Sequence, residues 1–150
     1  MTIAAFWQAF CKESGTDVHT HYEAWAFGGA SDKLAELVLR GIKTGTASAA
    51  ELYALDEEEP MPQVGDYSVV LNSRDEPVCI IRTAKATVLP FEEVSAHHAY
   101  AEGEGDRSLS YWRQVHQEFF TQELAAYGRS FRMDMPVCCE EFELLYPTVH

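Results

Sequence analysis

The chain has 150 residues, 47% of them hydrophobic and 23% charged, with a formal net charge of -13. That length and charged fraction fit one globular domain with a full core and exclude a fibrous or disordered chain. Twenty-four acidic residues against eleven lysines and arginines exclude a broad nucleic-acid-coating surface, which works by replacing phosphate counterions with cations. A local positive pocket on the acidic body is still allowed, around Arg40 and Lys43, Arg82 and Lys85, or Arg107 and Arg113.

In chain order, Thr2 is placed to cap a first helix whose apolar face is Ile3, Phe6, Trp7 and Phe10, with Gly15 as its stop. "HYEAWAFGGAS" breaks that pattern with paired glycines. Ser31 or Asp32 caps a second helix with a stripe of Leu34, Leu37 and Val38, and Gly41 suits its C′ position. Lys43 follows directly, where the helix dipole favours a cation. "ELYALDEEEPMPQVGD" reads as an acidic, proline-rich surface loop. "YSVVLN" and "PVCIIRTAKATVL", separated by "SRDE", read as a hairpin running into a longer strand. "PFEEVSAHHAYAEGEGDRS" starts with a short helical turn and ends in a glycine-rich acidic loop. "SLSYWRQVHQEFFTQELAAYG" is the strongest helix, with Leu109, Trp112, His116, Phe119 and Phe120 on one face and Gly128 closing it. "PVCCEEFELLYP" is a final strand with Phe142, Leu144 and Tyr146 on one side. Strands interleaved with few helices point to a small barrel or an α+β domain rather than a doubly wound sheet.

Cys11, Cys79, Cys138 and Cys139 have spacings that make no disulfide framework, so a reduced, cytoplasmic chain is expected. The first fifteen residues lack a basic segment and a cleavage site, and their apolar run is too short to span a membrane. There is no HExxH, C-x2-C or EF-hand pattern, and the glycine-rich segments match neither the P-loop nor the dinucleotide fingerprint. No cofactor or metal is expected, although the Glu102–Asp106 loop leaves a metal open.

Two segments carry the chemistry. "GIKTGTAS", Gly41 to Ser48, surrounds Lys43 with small residues, so a buried lysine there still reaches a small ligand. A desolvated lysine can take the proton of a hydroxyl such as that of Thr46 and make it a nucleophile. The bland alternative is a solvated cap lysine beside a strand threonine. In "AEGEGDRS", Glu102, Glu104 and Asp106 either share a proton-transfer or metal-binding duty or form a solvated acidic loop. Trp25, Phe27 and Tyr111 are candidates to stack on a base. Trp112 and His116 read as core.

"DKLAELVLRGIKTGTAS", "GDYSVVL…EPVCII" and "AYAEGEGDRSLSYWRQVHQEFF", in that order, resemble the ASCH-domain proteins, in the bacterial branch of about this length. The resemblance implies a PUA-like α+β fold, a small mixed β-barrel flanked by helices. It spans residues 1–150 as one domain, with an N-terminal helical extension over about 1–30. It implies a nucleic-acid-related role. Some members are amidohydrolases that remove acyl groups from the exocyclic nitrogen of cytidine derivatives, others behave as ribonucleases, and others only bind RNA. The amidohydrolase set is a lysine, a threonine three residues on and a glutamate. These fall on Lys43, Thr46 and Glu102, with Glu104 two residues from the matching carboxylate. Around them, Trp25, Phe27, Thr44, Gly45, Ser48, Glu104, Asp106 and Arg107 are the expected substrate-binding residues, with backbone N–H groups near Thr44 and Gly45 holding the oxyanion. The ribonuclease alternative keeps Lys43 protonated and uses Arg107 and Arg129 for phosphate contact. The expected partner is a small nucleoside or a single-stranded RNA, no membrane is involved, and a homodimer is allowed.

Overall fold

A computed structural model describes residues 1–55 and 60–148. The first helix, α1 (Ile3–Ser14), begins where the Thr2 hydroxyl accepts the Ala5 N–H at 3.1 Å and stops at Gly15, whose φ of 80° is left-handed. The extension then becomes a strand, β1 (Tyr22–Ala26), which pairs in parallel with β3 (Tyr67–Leu71). Helix α2 (Ser31–Leu39) has Ala30 at its N-cap and no side-chain cap. Neither Ser31 nor Asp32 caps it. The Asp32 carboxylate instead accepts the Ser73 N–H at 2.7 Å and the Ser73 hydroxyl at 2.9 Å, tying α2 to the turn after β3. Its C-terminus closes as expected: Gly41 has φ 73° and donates to the Val38 carbonyl, and Ile42 donates to that of Leu37.

Strand β2 (Gly45–Ala49) runs into a single helical turn, α3 (Ala50–Tyr53). Of the acidic loop expected over 51–66, residues 56–59 lie outside the described residues. The hairpin and long strand appear as β3 and β4 (Pro77–Pro90), followed by a 3-10 turn at Phe91–Glu93. The next segment holds a true helix, α4 (Ala96–Glu102), capped by Ser95, so Glu102 is the last residue of a helix and not a loop residue. Helix α5 (Leu109–Ala125) is capped by Ser108, and β5 (Pro136–Tyr146) completes the chain.

The five strands form one mixed sheet in the order β1-β3-β4-β5-β2. Its outer strands β1 and β2 do not pair with each other, and register shifts in β4 and β5 curl it into a half-barrel. Three apolar clusters hold the layers. α1 packs Trp7, Phe10 and Cys11 on Val69, Leu71 and Ile80. α2 packs Ala35 and Val38 on Cys79, Ile81 and Phe142, while α5 packs Trp112, Phe120 and Leu124 on Val137 and Cys139. Neighbouring β5 residues point to opposite faces, so α2 and α5 lie on opposite faces of that strand. All four cysteines are free and buried. Among the described residues no helix is long and apolar enough to cross a membrane.

Candidate active site

The turn that ends α2 throws Lys43 back under the helix, where its N–H donates to the Leu37 carbonyl at 3.1 Å. The side chain is 1% exposed, a degree of burial that lysine reaches only with partners. Its Nζ lies 3.0 Å from Glu104 Oε2, 3.5 Å from Glu102 Oε1 and 3.4 Å from the Glu102 carbonyl. It also stands 5.1 Å from the centre of the Phe27 ring, within cation–π range.

Glu102 is 2% exposed and ringed by donors. Its Oε2 accepts His98 Nε2 at 2.8 Å, one helical turn back on α4, and the Trp112 indole N–H at 2.5 Å. His116 Nε2 lies 3.4 Å from Oε1, and its ring stacks on Trp112 with centroids 4.2 Å apart. Burial by itself pushes this carboxyl up. The hydrogen bonds from His116 and His98, with the charges of His116 and Lys43, outweigh that and hold it well below the usual range. A fixed carboxylate therefore sits under the lysine.

A second buried carboxyl lies nearby. Glu140 on β5 pairs directly with Thr46 on β2, so the two side chains share a face. Its Oε1 accepts the Thr83 hydroxyl at 3.2 Å. Burial pushes it up to about 7, with help from the charges of Asp66 and Glu102 and against the Thr83 hydrogen bond.

Lys43, Thr46, Glu102, Glu104 and His116 line one cavity of about 300 Å³, walled by Phe27, Leu34 and Leu37 on one side and by Tyr111, Val115 and Phe119 on the other. Among the described residues the Thr46 hydroxyl has no hydrogen-bond partner. The remaining expected residues frame this space without lining it. Trp25 packs edge-on against Phe27 with centroids 4.9 Å apart. The Thr44 N–H and hydroxyl both donate to the Ala101 carbonyl, at 2.7 and 3.2 Å, so that amide is not free to hold an oxyanion. Gly45 lies where a Cβ would meet the Glu140 carbonyl at 2.9 Å. Ser48 accepts the Tyr53 hydroxyl at 3.0 Å. Asp106 is held below its usual range by the Ser108 hydroxyl and N–H at the start of α5. Arg107 turns back, with φ 64°, to the Tyr100 and Ile42 carbonyls and lies over the Tyr100 ring. Among the described residues no group of three or more His, Cys, Asp or Glu side chains is placed to hold a metal ion.

The ASCH domain model matches residues 23–146, from β1 to the end of β5. The chain belongs to the ASCH domain family. Its structure is similar to that of an ASCH domain from Lactobacillus crispatus, at 32% identity and a TM-score of 0.87, covering 95% of this chain and 92% of that one. It is also similar to a protein from Enterococcus faecalis, at 36% identity and a TM-score of 0.85, covering 95% of this chain and 86% of that one. No curated protein is detectably similar to it. The ASCH domain is a PUA-like fold of the RNA-binding class.

His98, Trp112, His116 and Glu140 are the site neighbours that sequence reasoning missed. His98 and Glu102 stand four residues apart behind a Ser95 cap, which is a readable helical pair. Trp112 and His116 read as core because they are core; their polar atoms face inward to the carboxylate.

Proposed function

We propose that this ASCH domain hydrolyses the amide of a small acylated nucleoside, with an N4-acylated cytidine as the best-fitting class. One observation carries the reading: a partnerless threonine hydroxyl, a buried lysine and a fixed carboxylate line the same small cavity. The Thr46 hydroxyl attacks the amide carbonyl. Its proton has an acceptor in the Lys43–Glu104 pair: with the Lys43 proton shared to the carboxylate 3.0 Å away, the amine takes the hydroxyl proton and later gives it to the leaving nitrogen. Glu102, held by His98 and Trp112, keeps the lysine in place. Water then hydrolyses the acyl-threonine.

The space suits a nucleoside better than a polymer. Of the cations that the sequence groups along the chain, Arg82 lies 3.8 Å from Glu143, Lys85 lies 3.9 Å from Glu141, and Arg107 is turned to backbone carbonyls. With a net charge of -13, the surface offers little to a phosphate chain. The test is to incubate the protein with N4-acetylcytidine and, separately, with a short single-stranded RNA, beside Thr46→Ala and Lys43→Ala. Cytidine release that both substitutions abolish is expected. RNA fragments without deacylation move the reading to a ribonuclease, and no product from either removes both.

A further inference from the structure

The cavity has an unusual wall. It takes Leu34 and Leu37 from α2 and Val115 and Phe119 from α5, although those helices pack on opposite faces of β5. It is also lined by both Thr46 and Ala47, neighbours that point to opposite faces of β2. A space bounded from both faces at once lies beyond the free edge of the strand. β2 has that edge open because it is the last strand of the sheet.

The pairing fixes which backbone groups face the space. The Phe142 N–H donates to the Thr44 carbonyl, and Gly45 and Thr46 stand opposite Glu141 and Glu140. In an antiparallel ladder this turns the N–H and C=O of Thr46 toward β5 and those of Gly45 and Ala47 away from it. Gly45 lies against Ala101 of α4. Ala47 opens on the cavity, and among the described residues no other element hydrogen-bonds its N–H or C=O. A donor and an acceptor thus sit side by side on a rigid strand. Left unpaired under a ligand, such groups cost what a lost hydrogen bond costs.

We propose that the free edge of β2 at Ala47 recognises the ligand by its base: the Ala47 N–H and C=O pair with an adjacent acceptor and donor on the edge of a planar heterocycle of the cytosine type. Phe27, Tyr111 and Phe119 supply the flat apolar walls for such a ring. A ring with an acceptor nitrogen beside an exocyclic N–H satisfies both groups, whereas an aliphatic amide leaves the aromatic walls unfilled. This inference rests on the ligand being a nucleoside, and it concerns binding, so it is separable from the hydrolase reading.

The experiment is an amide NMR titration of the full 15N-labelled chain with cytidine and with 2-pyrimidinone riboside, which lacks the 4-amino donor. Cytidine is expected to move the Ala47 amide downfield and slow its exchange with solvent at least tenfold. The 2-pyrimidinone riboside is expected to bind roughly tenfold more weakly, the worth of one hydrogen bond. Ala47→Pro, which deletes the N–H at an edge where proline is tolerated, should weaken cytidine by a similar factor. The wild-type titration decides the matter if that variant fails to fold. Cytidine that moves Phe27 and Lys43 but leaves Ala47 unmoved overturns the inference. So do equal affinities for the two probes, or no shifts at millimolar cytidine. An Ala47 response without turnover of N4-acetylcytidine upholds base recognition and removes the hydrolase reading.

Discussion

Glu140 gives the sharpest quantitative expectation. Its carboxyl lies buried between Thr46 and Thr83 with no cation beside it among the described residues, and it is pushed from an ordinary 4.5 up to about 7. Between those two values the folded chain keeps a proton that the unfolded chain has lost. Stability therefore falls as pH rises through this window, and the loss is complete above about 7. The interval corresponds to about 3 kcal/mol, at 1.36 kcal/mol for each tenfold change. Glu140→Gln keeps the shape of the protonated acid and removes the titration. Urea unfolding of both proteins at about pH 4.5 and about pH 8 should show nearly equal stability at the lower pH and a glutamine variant about 3 kcal/mol more stable at the higher. Taking the difference between the proteins cancels the opposite trend from Glu102, which is lost as pH falls. A gap that stays constant within about 0.5 kcal/mol would refute the assignment of a raised buried carboxyl.

Trp112→Phe keeps a ring against Phe91 but deletes the indole N–H on Glu102. It should cost about 1.5–3 kcal/mol in urea unfolding, the range for a hydrogen bond to a charged group, and a loss within experimental scatter would show that the tryptophan serves by packing alone. Gly103→Ala combines a left-handed φ of 72° with a Cβ 2.5 Å from the Ile42 carbonyl. It should destabilise more than Gly41→Ala, which has φ 73° but open space around it, by about 1 kcal/mol or more. Thermal melts of equal midpoint would mean that the backbone of Lys43 and that of Glu102 are not locked together there.

Local chemistry made much of this readable. Thr2 and Gly15 bound α1 and Gly41 ends α2 because caps and left-handed glycines act within a few residues. The segments that escaped owe their form to distant partners. Tyr22–Ala26 is five residues long with no clean alternation of burial and becomes a strand by lying beside β3. Ser31 and Asp32 looked like caps until Ser73 supplied Asp32 with better donors. In the site, the bareness around Lys43 was legible and its double carboxylate partnership was partly so. The ring of donors on Glu102 was not, because it depends on α5 turning Trp112 and His116 inward. Glu140 was invisible for the same reason: its character comes from facing Thr46 and Thr83 across two strands.

The order of strands has a consequence for how the protein is made. β2 carries Thr46 and Ala47, yet among the described residues its strand partner is β5, the last of the five strands in chain order. Chains emerge from the ribosome N-terminus first. The lysine segment must therefore wait, without its neighbour in the sheet, until residues 136–146 have been made. A chain cut short between Glu102 and Pro136 would keep Lys43, Thr46 and Glu102 in its sequence and lack the strand with which Thr46 is paired. Synthesis of β5 and completion of the sheet beside the cavity are thus one event.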